Sequence, residues 1–203
     1  MYMEMVYYRT AALEHIARDM LKLYNPNYLN WKPQAVPIEK IIEDIYKISI
    51  EYMRLTEAGD ELGRMIYDNG FSTRFNEGKD DYELVAVTEG TMLIESLLVN
   101  DPNANGRYRF TLAHELSHWR LHKHIYKGTG IAAATYGTDM QTHNAIEWQA
   151  NYLAKAILMP VSQVKRGFHG IADTNQNKII TLAGVFEVSK QAMEYRLREL
   201  GLV

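Results

Sequence analysis

The sequence predicts an α+β fold, with a small, mostly antiparallel sheet over residues 48–99, a motif-bearing helix, and a helical C-terminal segment. Three observations predict it. Between Ile48 and Val99, short runs rich in β-formers are separated by turn dipeptides. From Tyr108 to about His122, apolar residues recur at helical spacing around His114-Glu115-Leu116-Ser117-His118. No internal repeat or clean linker divides the chain, so one compact unit of residues 1–160 is expected. Residues 161–203 should form a helix-turn-helix-like segment packed on the same domain.

Each element follows from local pattern. Residues 3–24 space Val6, Leu13, Ile16, Ala17, Met20 and Leu23 as a helix, ended by Asn25-Pro26-Asn27. Pro37 opens a second helix to about Lys47, with Ile38, Ile41, Ile42 and Ile45 as its buried stripe. Ile48 to Leu55 alternates as a strand. Asp68-Asn69-Gly70 turns the chain between Met65-Ile66-Tyr67 and Phe71 onward. Tyr82 to Thr88 and Thr91 to Val99 read as strands joined at Glu89-Gly90. Residues 123–142 hold small residues without periodicity and read as a flexible loop. A helix then runs from about His143 to Leu158 and stops at Pro160, and two or three short helices follow.

Composition narrows the chemistry. The chain has 203 residues, 47% of them hydrophobic and 23% charged, as in an ordinary globular domain. A net charge of −3 gives no global basic field to draw in nucleic acid. With no cysteine, disulfides and thiolate metal sites are excluded, so any zinc must use His and carboxylate. There is no apolar run of about 18 residues and no basic-then-apolar leader. The expectation is a cytoplasmic protein with no membrane partner.

The motif names a reaction type. Residues four apart on a helix lie about 40° apart around the axis and about 6 Å along it. His114 and His118 therefore project from one face and can reach one ion, and Glu115 can take a proton from water. A catalytic zinc usually has three protein ligands. Glu147, 29 residues after His118, supplies a carboxylate beside the apolar face of the next helix. Such a group is costly there unless paired or metal-bound. Taken alone, Glu147 reads as a first-turn acid that complements the helix dipole. With His114 and His118 upstream, the ligand reading prevails. Asn151, one turn on, is placed to hydrogen-bond a ligating His.

Arg109-Phe-Thr-Leu-Ala-His-Glu-Leu-Ser-His-Trp-Arg-Leu-His122 and Glu147-Trp-Gln-Ala-Asn-Tyr-Leu-Ala-Lys-Ala-Ile-Leu-Met-Pro160 resemble the two motifs of the ImmA/IrrE metallopeptidase family. The tail Leu182–Gly201 is also similar to that family's C-terminal segment. The resemblance covers residues 95–203 well and the N-terminal third in outline. Ser117 stands where the family pattern has Gly. Serine is small, and metal binding is expected to survive it. The resemblance implies a zincin-like fold, Zn2+ held by His114, His118 and Glu147, and Glu115 as general base. It further implies endopeptidase action, through a metal-activated water, on a regulatory protein such as a repressor. An oxyanion donor is also required, and Tyr126, Tyr136 and His143 are candidates. A peptide substrate is expected to pair with an exposed sheet edge, for which Thr91–Val99 is the candidate.

Other residues receive plainer readings. His122 is too far along the helix from His114 to share its ion, so a packing or ligand-supporting role is expected. His124 and His143 read as surface histidines, and His15 and His169 have no partner signal. Trp119 and Trp148 adjoin proposed ligands and read as a packed wall around the site. Thr111 reads as a first-turn cap. The competing class is a DNA-binding regulator, with Ser189 capping a recognition helix that carries Lys190, Gln191, Arg196 and Arg198. Residues 161–203 hold only six Lys+Arg against four Asp+Glu, a thin electrostatic footprint. A third class, a partner-binding protein with a structural metal, has no use for an intact Glu115. The sequence does not fix the oligomeric state.

Overall fold

The computed structural model describes residues 6–101, 103–128 and 140–203. Helix α1 (Thr10–Tyr24) buries Leu13, Ala17, Met20 and Leu21 and ends at Asn25, as expected. It begins at Thr10 and not at residue 3. Arg9 is extended before it, and Val6 is 46% exposed, so Val6 does not join the stripe. Helix α2 (Ile38–Lys40) follows Pro37 and continues directly into a π turn over Ile41–Ile45. Ile38, Ile41 and Ile42 are buried while Ile45 is only half-buried. Lys47, at φ 55°, then turns the chain into the first strand.

The five strands are β1 (Ser49–Met53), β2 (Gly63–Met65), β3 (Gly70–Asn76), β4 (Asp81–Val87) and β5 (Thr91–Glu95). They do not form one mostly antiparallel sheet. β1, β5 and β2 make a mixed three-stranded sheet in the order β1–β5–β2. β1 runs parallel to β5, and β2 runs antiparallel to it. β3 and β4 make a separate antiparallel hairpin. The turn at Asp68-Asn69-Gly70 thus carries the chain from one sheet to the other. Periodicity located β1, β4 and the start of β5, but pairing is a long-range property that it does not encode.

The strand expected over Thr91–Val99 stops at Glu95. The fully buried Glu95 carboxylate accepts hydrogen bonds from the backbone N–H of Leu97 at 3.1 Å and of Leu55 at 2.8 Å. It thereby caps a short helix, α3 (Ser96–Asn100). β5 is also the central strand, with all five residues buried, so it is not the exposed edge.

Helix α4 (Asn105–Tyr126) is longer at both ends than the segment expected. Helix α5 (Met140–Leu158) starts before His143. The segment read as a loop over 123–142 is therefore helical at 123–126 and from Met140. Its remainder from 129 to 139 lies outside the described residues. Thr111 is not a cap, because its hydroxyl donates to the Arg107 carbonyl one turn back at 3.1 Å, inside the helix.

α4 packs between the sheet and α5, and α5 packs between α4 and α1. Met65, Met92 and Ile94 face the helices. Leu93, Ile66, Leu55 and Val87 form a smaller core on the other side. Helices α6 (Val161–Gly170), α7 (Asn175–Phe186) and α8 (Lys190–Glu199) contribute Val164, Phe168, Leu182, Phe186 and Leu197 to the main core. No helix among the described residues is long and apolar enough to cross a membrane.

Candidate metal centre

The site is built on two packed helices, the middle of α4 and the early part of α5. His114 and His118 sit one turn apart on α4, with ring centroids 4.5 Å apart and edge-on. Their Nε2 atoms are 2.9 Å apart. Glu147 reaches across from α5, with Oε2 3.4 Å from His114 Nε2 and Oε1 3.3 Å from His118 Nε2. Donors arranged tetrahedrally at about 2.0–2.1 Å from one zinc lie about 3.3 Å from each other. The three spacings observed straddle that value. Among the described residues, these three form the cluster of ligand-type atoms that fits one ion. All three belong to the donor types that a cysteine-free zinc site must use.

Electrostatics agree with a cation site. Burial works against ionising Glu147, but hydrogen bonds from His114 and His118 outweigh it and hold the carboxyl far below its ordinary range. Burial likewise opposes a charge on His114. Contact with Glu147, the nearby Glu115 and the polar side chain of Asn151 outweigh it and raise the imidazole. Asn151 thus stands near His114 as its spacing on α5 suggested, but His114 Nδ1 has no hydrogen-bond partner.

Glu115, beside His114 on α4, is 8% exposed. Burial raises its carboxyl, against the opposing pull of His114 and His118. It lies against β2 at Gly63, where sequence reading saw nothing. A Cβ at that position would stand 2.7 Å from Thr111 Cγ2 and 2.9 Å from Glu115 Cγ. Glycine here serves close approach of strand and helix, the usual meaning of an isolated Gly within a strand. Gly63→Ala is therefore expected to destabilise the domain by about 1–3 kcal/mol through overpacking. Adding Thr111→Ser removes the nearer methyl and should recover part of that loss in denaturant titration. Equal stability of Gly63→Ala and wild type would refute the close-packing account.

The remaining candidates separate clearly. Tyr126 is buried, its ring tilted against Tyr67 at 5.1 Å. Burial, with the charge of Glu147, pushes its hydroxyl up to about 12. Tyr136 lies outside the described residues. His143 is half-buried in the first turn of α5, and His124 is half-buried near the end of α4, so neither is a free surface histidine. His15 pairs with Asp19 at 2.8 Å. Trp119 stacks on Tyr67 at 5.9 Å, and the Lys123 ammonium lies 3.7 Å from its ring centroid. Trp148 is 48% exposed against Tyr152, so only Trp119 belongs to the packed wall. Tyr67 was missed: it is fully buried, and the charges of Glu115 and Glu147 help burial to raise its hydroxyl. Its sequence signal was no more than a tyrosine beside a turn.

The model of the IrrE N-terminal-like domain, Peptidase_M78, matches residues 66–198, well over half of the sequence. The chain belongs to the Peptidase_M78 family. The site, the motif helix and the C-terminal helices all fall inside the match, and the α+β zincin-like fold follows with it. Among curated proteins none matches the chain closely enough to count as a relative. Among solved structures, a Mycobacterium tuberculosis transcriptional regulator superposes with a TM-score of 0.52 at 15% identity. The match covers 94% of this chain and 47% of that one, so this chain spans about half the length of its structural neighbour. At that identity the likeness shows the shared fold alone.

The two arginines named for DNA contact are otherwise engaged in this Peptidase_M78 domain. Arg196 is completely buried and donates from Nη1 to Glu14 Oε1 at 2.6 Å and from Nη2 to Oε2 at 3.0 Å. Its Nε donates to the Met159 carbonyl at 3.0 Å. Arg198 pairs with Glu194 one turn back on α8. Ser189 does cap α8, accepting from the Ala192 N–H. The cap supports the helix pair, and Lys190 and Gln191 remain exposed on α8.

Proposed function

We propose that this chain is a zinc-dependent endopeptidase that cleaves a regulatory protein, such as a repressor, in the cytoplasm. The observation that carries the reading is the set of three donor spacings around His114, His118 and Glu147. They fit one tetrahedral ion beside a carboxylate, Glu115, that is not needed as a ligand.

When bound, zinc would polarise the scissile carbonyl and bring the pKa of a water toward 7. His114, His118 and Glu147 would hold that ion, with Asn151 beside the His114 ring. Glu115, kept dry by Gly63 and Thr111, would take the proton from the attacking water and return it to the leaving amine. Tyr126, close enough to Glu147 to feel its charge, remains a candidate to donate to the oxyanion.

The substrate edge moves from Thr91–Val99 to β2. Leu62 and Ile66 hydrogen-bond toward β5, so the alternate residues Gly63 and Met65 turn their N–H and C=O away from it. Among the described residues no strand pairs with that side. An extended peptide added there would run beside Glu115 and bind through its main chain with little sequence demand.

Elemental analysis tests the site directly. Wild type should carry about one zinc per chain, as a three-ligand site implies. His114→Ala with Glu147→Ala should carry none and should cleave nothing. Wild type without zinc affinity, or the double variant retaining zinc, sinks the proposal.

A further inference from the structure

The β3–β4 hairpin turns one face to the core and a second, apolar face to solvent. Side chains alternate along each strand, and cross-strand partners share a face. Ser72, Val85 and Val87 point inward, where Val85 and Val87 pack with Leu55, Ile66 and Leu93. The register Phe71↔Ala86, Thr73↔Leu84 and Phe75↔Tyr82 defines the outward face. Phe75 is covered, edge-on to Tyr82 with ring centroids 5.4 Å apart, but the rest is open. Phe71 is 69% exposed, Leu84 68% and Tyr82 49%, and Thr73 and Ala86 are exposed with them. Phe71 and Leu84 are diagonal neighbours and the two most exposed large apolar side chains among the described residues. The hairpin is held in place, because Arg64 of β2 donates to Ser72 Oγ at 2.6 Å and to the Thr73 carbonyl at 2.8 Å.

Charge identifies the partner of this face. Residues 54–87 hold four Lys+Arg against eight Asp+Glu, a net of −4 in a chain whose total is −3. All four cations are already matched: Arg54 with Glu77 and Glu95, Arg64 with Glu61, and Arg74 and Lys79 with Glu83. Among the described residues, Glu57, Asp60, Asp80 and Asp81 form no ion pair. Asp80 and Asp81 lie where the turn enters β4, and the Glu57 N–H donates to the Tyr82 hydroxyl at 3.2 Å. The surplus negative charge therefore gathers at the Tyr82 end of the apolar face. Two copies joined through this face would bring two net-negative patches together. A basic partner with apolar side chains satisfies both parts. Main-chain pairing at β2 makes little sequence demand, so selection of a substrate needs a second contact. A repressor, the substrate class proposed above, carries a Lys/Arg-rich face because it must hold phosphates. We propose that the outer face of the β3–β4 hairpin docks the protein substrate, with Lys/Arg side chains over Asp80 and Asp81 and apolar side chains on Phe71 and Leu84. That role rests on the endopeptidase reading.

Peptide binding to the full-length chain tests the docking face without cleavage. The probe is a fluorescein-labelled peptide alternating Lys with Leu, and the control alternates Glu with Leu. Wild type should bind the Lys peptide and leave the Glu peptide free. Phe71→Ser with Leu84→Ser should weaken binding by about 10–100-fold, as loss of a central apolar anchor does. Asp80→Asn with Asp81→Asn should weaken it by about 3–10-fold, with a smaller effect at high salt. All four side chains face solvent, so circular dichroism of the variants should match wild type. If the apolar pair misfolds, the charge pair carries the comparison. Wild type that ignores the Lys peptide overturns the proposal, as does equal binding of the Glu peptide or wild-type binding by the folded variants. Self-association of wild type that Phe71→Ser with Leu84→Ser abolishes also overturns it, in favour of a face shared between copies. Binding needs no zinc, so its failure leaves the metal site untouched. A wild type without zinc affinity fails the endopeptidase reading alone.

Discussion

Glu115→Gln should keep its zinc and lose peptide cleavage by about 10²–10⁴-fold, the range that a positioned general base supplies. The amide has nearly the same shape, so the contacts with Gly63 and Thr111 should survive. The three ligand atoms belong to other residues, so metal content should not fall. What the amide lacks is a basic oxygen able to take a proton. The measurement is paired: zinc per chain by elemental analysis and turnover of a protein substrate, in wild type and variant. Cleavage at the wild-type rate would remove Glu115 from the mechanism. Loss of zinc would make it a ligand and require the site to be redrawn.

Arg196→Ala should destabilise the fold by about 3–5 kcal/mol, because it strands the Glu14 carboxylate at a buried partner's vacated place. For a chain of this size that corresponds to a fall in Tm on the order of 10 °C. The Met159 carbonyl would lose its donor as well. Replacing both charges, as Glu14→Leu with Arg196→Met, should restore much of the loss, since a well-packed apolar pair is often no less stable than a buried ion pair. Calorimetry on the single and double variants checks both statements. An unchanged Tm in Arg196→Ala would mean that Glu14 is solvated when alone. The same variant tests the regulator reading, in which Arg196 would contact phosphate and its loss would cost DNA affinity without costing stability.

What was legible in the sequence was what repeats locally. The His-Glu-x-x-His spacing puts His114 and His118 on one face whatever the rest of the chain does. Glu147 could be picked because a carboxylate beside Ala150, Leu153, Ala154 and Ile157 needs a reason to be there. The structure places it within 3.4 Å of both imidazoles. The sheet was less legible. β1 and β5 are adjacent and parallel although 37 residues lie between Met53 and Thr91. Nothing in either strand's alternation announces the other. Thr91–Val99 read as one strand because Ser96–Val99 is apolar and β-compatible, and the turn depends on Glu95 finding Leu55 and Leu97 N–H groups. Arg196 read as a free basic residue because its partner, Glu14, lies at the opposite end of the sequence. Gly63 carried no pattern at all, since its meaning lies wholly in what packs against it.

The Glu14–Arg196 pair also imposes an order on synthesis. α5, which carries Glu147, packs on α1, and α1 carries Glu14 on the side that Arg196 covers. While a ribosome is still making residues before 196, that carboxylate has no guanidinium to meet. The helix layer behind the third ligand then stays incompletely neutralised. The Glu14 side of α1 is therefore paired only with the Tyr152 hydroxyl of α5 until α8, the last helix in chain order, has docked.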